Sequence, residues 1–232
     1  MKIDNQLVDL HGRLLVPLYH GTGSAHKESI LTHGLGGARD NKLFDTCLLK
    51  RITVALSDAE RQGRSAFWSE NSPVLEAMLD GAVGAGGLNF RYGGLYLTSS
   101  RPHAVTYARE YPLGEYLTHL TCAYKELCRV EPALAQSIID EHQSLHKLLR
   151  SESHPLVIVV DQLPVRDLRT EAGEPLELMF KELEALQKDQ TDFCIGQLLS
   201  EEEFGFEYLS TVPPESIKIT EVSPLEKGHA DF

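Results

Sequence analysis

Apolar residues fall along this chain in short runs whose period changes, and the periods sort into strands and helices. The run "LLVPLY", residues 14 to 19, is apolar apart from Pro17, which suits a strand that is at an edge or irregular there. Helical spacing follows. Ser24 is placed to cap it, Glu28 falls in the early turns where the helix dipole favours a carboxylate, Ile30 and Leu31 supply an apolar stripe, and Gly34 offers a left-handed stop. "YHGTG" is thus expected where a strand hands over to a helix. Residues 35 to 92 read as two or three helices, "CLLKRITVALSDAERQGRSAFWSE" and "SPVLEAMLDGAVGAGG", the latter ending in a glycine-rich loop. "GGLYLTSS" predicts a buried strand, and "SSRPHAVTYAREY", with its serines and Pro102 near the first turn, predicts a helix.

The helical spacing of "CAYKELCRVEPALAQSIIDEHQSLHKLLRSE" is interrupted around Pro132, and "PLVIVVD" after it is the most strand-like run in the chain. A helix is expected in "EPLELMFKELEALQKD". The pattern closes with "FEYLSTV" and "SIKITEV", two strand-like pieces joined by a proline turn. Strands and helices mix without regular alternation, which argues for an α+β domain over a doubly wound parallel sheet. At 232 residues, with no repeat, low-complexity tract or linker, the expectation is one domain over 1–232 with a helical insertion at about 36–91.

Composition narrows the partners. A net charge of −12 provides no general field for phosphates, so a protein or small-molecule partner is favoured over nucleic acid. Cys47, Cys122, Cys128 and Cys194 are scattered, without zinc or dithiol spacing, and read as reduced, buried thiols. Asp4 and Asp9 stand where a signal peptide needs an apolar run, and no stretch of about 18 apolar residues occurs. The expectation is a soluble, cytoplasmic chain with no membrane partner; a signal-less secretion route to a host or target cell is compatible with it. His142 and His146 stand four apart, but no HExxH arrangement or third ligand accompanies them, so no metal is expected.

Chemistry gathers around "YGGLYLTSSRPHAVTYARE". Tyr96 and Tyr107 lie eleven residues apart, one in the expected strand and one in the expected helix. Two rings so presented can face each other across a narrow slot, which suits a flat, electron-poor ring such as nicotinamide. Singly, each residue has a plainer role: Tyr96 as core, Tyr107 as a helix face, His20 as an ordinary histidine, and Glu207 as an extension of the solvated run Glu201, Glu202 and Glu203.

Together, "LYHGT" before a helix, "GGLYLTSSRPHAVTYA" and "FEYLSTVPPESI" resemble the histidine–tyrosine–glutamate class of ADP-ribosyltransferases. That class includes the diphtheria-toxin-like enzymes and the poly(ADP-ribose) polymerases. The resemblance touches residues 14 to 35, 92 to 111 and 203 to 222. It implies a split β-sheet core that uses NAD as substrate. His20 would hold the adenosine ribose, Gly21 would grip the nicotinamide amide through its backbone with Thr22 beside it, and Tyr96 and Tyr107 would flank the nicotinamide ring. Ala104 stands where the polymerases commonly carry a serine that bonds the amide. Glu207 would be the catalytic glutamate. In the arginine-modifying class the first strand carries an arginine, and a Glu or Gln lies two residues before the catalytic glutamate. Those places hold His20 and Gly205 here, which argues against arginine as acceptor.

The chemistry requires such residues. Breaking the nicotinamide–ribose bond passes through an oxocarbenium-like state that a fixed carboxylate stabilises, while the other groups mainly position the substrate. The leading expectation is an NAD-dependent ADP-ribosyltransferase acting on a macromolecular target, as a toxin, effector or defence enzyme. An NAD glycohydrolase or RNA 2′-phosphotransferase of the same fold, or a non-catalytic NAD-binding module, are the alternatives. The segment "GQLLSEEEFGF", residues 196 to 206, is the expected reader of the target.

Overall fold

The structure is a computed structural model and describes residues 7–37, 46–80, 94–189, 199 and 204–223. The elements run β1 (Leu18–Gly23), α1 (Lys27–His33), α2 (Thr46–Arg61), α3 (Phe67–Asp80), β2 (Leu95–Thr98), α4 (Arg101–Glu110), α5 (Glu115–Val130), α6 (Pro132–Glu141), α7 (Gln143–Arg150), β3 (Pro155–Val160), β4 (Leu168–Thr170), α8 (Leu176–Asp189), β5 (Gly205–Tyr208) and β6 (Ile217–Glu221). The class is α+β. The chain divides into two compact units, Met1–Ala38 with Gly94–Pro112 and Ser153–Phe232, and Arg39–Gly93 with Leu113–Glu152.

The first unit holds an open six-stranded sheet in the order β4-β5-β2-β1-β3-β6, and every neighbouring pair is antiparallel. β1 starts one residue after Pro17, later than the apolar run suggests. Proline has no N–H to give a ladder, whereas each residue from Leu18 to Gly23 is in register with β3. β1 therefore ends in "YHGTG" and hands over to helical structure as expected, with all of "YHGTG" inside the paired part of the strand. Ser24 is also not a cap: its hydroxyl accepts from the His154 N–H at 2.9 Å, and a short 3-10 turn, Ser24–His26, leads into α1. α1 stops at Gly34, whose φ of +84° favours glycine.

β5 and β6 are joined through the proline turn as expected, and in the sheet β2, β1 and β3 lie between them. β5 begins at Gly205, so Glu207 is inside the strand and does not open it. β4 has three residues and was not visible in the sequence, because alternation needs a longer run to show.

Strand alternation commits one set of positions to the core. Leu95 and Leu97 of β2, Phe206 and Tyr208 of β5, Leu168 of β4, Leu18 of β1, and Ile158 and Val160 of β3 pack with Leu176, Met179 and Leu183 of α8. Each such burial stabilises by about 1.5–3 kcal/mol. The intervening positions of β2 and β5 are left for other work.

The second unit is helical and has its own core, in which Leu48, Leu49, Ile52 and Leu56 of α2, Leu75 and Met78 of α3, Leu120 and Leu127 of α5, Ile138 of α6 and Leu145 of α7 are buried. Cys47, Cys122 and Cys128 are exposed thiols outside any disulfide, not buried as expected. Leu120, Ala123, Tyr124 and Leu127 take the inward stripe of α5, which turns Cys122 and Cys128 outward. Cys194 lies outside the described residues. No helix among the described residues is long and apolar enough to cross a membrane.

Candidate active site

Glu207, Tyr96 and His20 sit on three strands that are side by side, β5, β2 and β1. Tyr96 is directly opposite Glu207 in the β2–β5 ladder. Their neighbours Leu95, Leu97, Phe206 and Tyr208 point into the core, so both side chains leave on the other face. The Ser99 N–H donates to the Phe204 carbonyl at 3.0 Å, which marks a hydrogen-bonded pair at the end of this ladder. Counting back by alternation makes Tyr96 and Glu207 a non-hydrogen-bonded pair, the narrow kind with Cα atoms about 4.5 Å apart and side chains in closest reach. A Cβ built on Gly94 would lie 2.8 Å from the Cζ and hydroxyl of Tyr96. The tyrosine ring thus lies back along its own strand, in space that glycine leaves open.

Between β1 and β2 the sheet comes apart. Their ladder registers one pair, Tyr19 with Thr98, while β1 stays paired with β3 over all six of its residues. The Ser24 N–H donates to the His154 carbonyl at 2.8 Å, and alternation from there turns the backbone groups of His20 and Thr22 toward β3 and those of Tyr19 and Gly21 toward β2. In a continued ladder Gly21 would meet Tyr96. That pair is not registered among the described residues; instead the Tyr96 carbonyl accepts from Nδ1 of His20 at 2.8 Å. The histidine side chain has taken the carbonyl that a regular ladder would give to the Gly21 N–H. A carbonyl only accepts, so the ring carries hydrogen on Nδ1, and in the neutral form Nε2 is an acceptor. By alternation His20 leaves the opposite face of β1 from Gly21, and this bond holds its ring at the mouth of the gap.

α4 covers the Gly21 side. Ser100 caps it by accepting from the His103 N–H at 3.3 Å, and Pro102 sits in the first turn. A Cβ on Gly21 would overlap the Ala104 carbonyl and lie 2.9 Å from the Ala108 nitrogen, so the helix backbone rests directly on the strand. Ala104 is fully buried at this contact, and its small side chain suits it. Tyr107 precedes Ala108 and is half-buried; its ring meets that of Tyr111 at a centroid distance of 5.0 Å, tilted by 46°. Thr22 is 5% exposed and belongs to the wall of the strand.

Gly21, Tyr96 and Glu207 therefore share one face, with α4 and Tyr107 beside Gly21 and His20 at the gap. On the far side of Glu207, Arg169 of β4 is its direct partner in register. It is exposed and forms no ion pair among the described residues. No sequence signal marks Arg169, because the three residues of β4 are too few for strand alternation to show. Glu201, Glu202 and Glu203, and most of the segment 196 to 206, lie outside the described residues. Among the described residues no three His, Cys, Asp or Glu side chains gather as a metal site needs.

The arrangement offers a half-exposed carboxylate next to a tyrosine ring, a glycine backbone edge released from its ladder, and an imidazole acceptor. Such a set can orient an amide-bearing flat ring and stabilise positive charge beside it. No protein-family model, curated protein or solved structure matches this chain.

Proposed function

We propose that this protein is an NAD-dependent ADP-ribosyltransferase of the histidine–tyrosine–glutamate class, with the split sheet of that class as its fold and a macromolecule as its target. The observation that carries the reading is the gap beside Gly21, where the His20 ring replaces a ladder bond to the Tyr96 carbonyl while Tyr96 faces Glu207 across the next ladder. A primary amide has one acceptor and two donors, and the Gly21 backbone edge offers a matching donor and acceptor. Nicotinamide bound there has α4 with Tyr107 on one side and Tyr96 on the other. The imidazole accepts from a ribose hydroxyl, and Glu207 accepts from a hydroxyl of the reacting ribose and faces the charge that develops at its C1′ carbon. The N-glycosidic bond breaks with its electron pair going to the nicotinamide nitrogen, the ring leaves neutral, and the acceptor's lone pair closes on C1′ as its proton is lost. A positioned carboxylate of this kind is worth roughly 100- to 1000-fold in rate.

The test is incubation of the purified chain with NAD labelled in its adenine half, with and without cell lysate. Label on a macromolecule supports the proposal, free ADP-ribose alone indicates a glycohydrolase, and unchanged NAD indicates a binding module.

A further inference from the structure

α4 ends where its sequence requires. Tyr111 is followed by Pro112, and a proline disfavours helical dihedrals in the residue before it. Tyr111 accordingly closes the helix with φ −124° and ψ 63°, while its N–H still donates to the Tyr107 carbonyl at 2.8 Å. Positions four apart are neighbours on a helix surface, so the two tyrosine rings meet. Their centroids are 5.0 Å apart and their planes tilt by 46°, inside the range that aromatic pairs favour. Both rings are half-buried.

The turn that carries Tyr111 is clamped. The Ser153 hydroxyl donates to the Pro112 carbonyl at 2.7 Å and accepts from the Ala25 N–H at 3.2 Å. A Cβ on Gly23, the last residue of β1, would overlap the same Pro112 carbonyl, so the turn seats on the strand only because glycine is there. Just before the turn, Arg109 donates through Nε and Nη2 to the Ser223 carbonyl at 3.3 and 3.1 Å. All of these residues belong to the sheet-bearing unit. Tyr111 therefore projects from a backbone fixed by Ser153, Gly23 and Arg109. Tyr107 lies within the helix, where a long side chain has two common χ1 wells, and a fixed ring beside it selects between them.

We infer that Tyr111 is a positioning residue for nicotinamide binding: it holds the Tyr107 ring in the orientation that stacks on the ligand. This rests on the transferase reading above, which puts Tyr107 beside the nicotinamide. A ring ordered before the ligand arrives loses little rotamer freedom when it stacks, so more of the stacking energy appears as affinity. The effect belongs to binding. Cleavage of the glycosidic bond depends on Glu207, so loss of the Tyr111 ring moves the dissociation constant and KM and leaves kcat in place. What matters at position 111 is an aromatic ring, since the contact with Tyr107 is made between ring faces and edges.

The experiment compares the full chain as wild type, Tyr111→Leu, Tyr111→Phe, Tyr107→Ala and the double variant Tyr107→Ala with Tyr111→Leu. NAD affinity is measured by calorimetry, KM and kcat by nicotinamide release, and folding by thermal melting. Tyr111→Leu keeps apolar bulk and loses the ring, and should weaken NAD binding and raise KM roughly three- to tenfold with kcat within about twofold. Tyr111→Phe returns the ring and should rescue both. Because Tyr111 acts through Tyr107, the double variant should bind NAD as Tyr107→Ala does, with no further loss. Unchanged NAD affinity in Tyr111→Leu, whether or not it melts early, overturns the inference. So do losses that multiply in the double variant, or a Tyr111→Phe as weak as Tyr111→Leu. A wild type that binds NAD but releases no nicotinamide contradicts the transferase reading alone, and the affinities then decide the inference. A wild type that does not bind NAD overturns both.

Discussion

Gly21, Gly94 and Gly205 each stand where another group occupies the space of a missing side chain: the α4 backbone, the Tyr96 ring and the Glu171 carboxylate. A methyl group at Gly21 has no flexible neighbour to displace, because it meets helix backbone. Gly21→Ala should cost about 1–3 kcal/mol by overpacking, read as a lower urea midpoint with an unchanged slope. Tyr107→Ala should behave differently. The tyrosine is half-exposed, so its loss should weaken NAD binding by the stacking share of about 0.5–1.5 kcal/mol while the melting temperature moves little. An early melt with unchanged NAD affinity would make Tyr107 a core residue. These site positions were legible because they sit in short quotable motifs: "YHGT", "GGLY" and the eleven-residue step from Tyr96 to Tyr107. Arg169 was not legible. It is an ordinary charged residue in sequence and gains its place only from a ladder between segments nearly forty residues apart.

At the scale of elements, strong apolar runs and capped helices were readable, and pairings were not. β3, β2 and α4 fall where the spacing of "PLVIVVD", "LYLT" and "SSRPHAVTYAREY" places them. The proline turn between β5 and β6 marks where the chain joins two strands, but a turn motif says nothing of the three strands that lie between them in the sheet. In the helical unit, Arg64 just beyond α2 ties to the end of α5, donating to the Val130 carbonyl at 2.6 Å and to the Glu131 carboxylate at 2.5 Å. Arg64→Ala should cost about 1–2 kcal/mol after solvent screening, measured by thermal or urea unfolding. His119 of the same unit is held below its ordinary value by burial, which disfavours the charged ring. Its folded value is the lower one, so its contribution is present above the unfolded value of 6.5 and is lost as pH falls below it. His119→Gln should therefore flatten the fall in melting temperature between about pH 7 and pH 5.5.

For the whole molecule, the proposed reaction takes place within the sheet-bearing unit, since His20, Gly21, Tyr96, Ala104, Tyr107 and Glu207 all belong to it. The helical unit has a core of its own and takes helices from both sides of the β2–α4 segment in the chain, an arrangement that apolar periodicity alone does not encode. The net charge of −12 sets the approach of partners and tells nothing of the site. Most direct is the rate of nicotinamide release from NAD by the wild type and by Glu207→Gln, with NAD affinity measured in parallel. The wild type should release nicotinamide, and the variant should bind NAD within a few-fold but release roughly 100- to 1000-fold more slowly, because it keeps the hydrogen-bond acceptor and loses the charge. Release by Glu207→Gln at the wild-type rate, or no release by either protein, would contradict the assignment of Glu207 as the catalytic carboxylate.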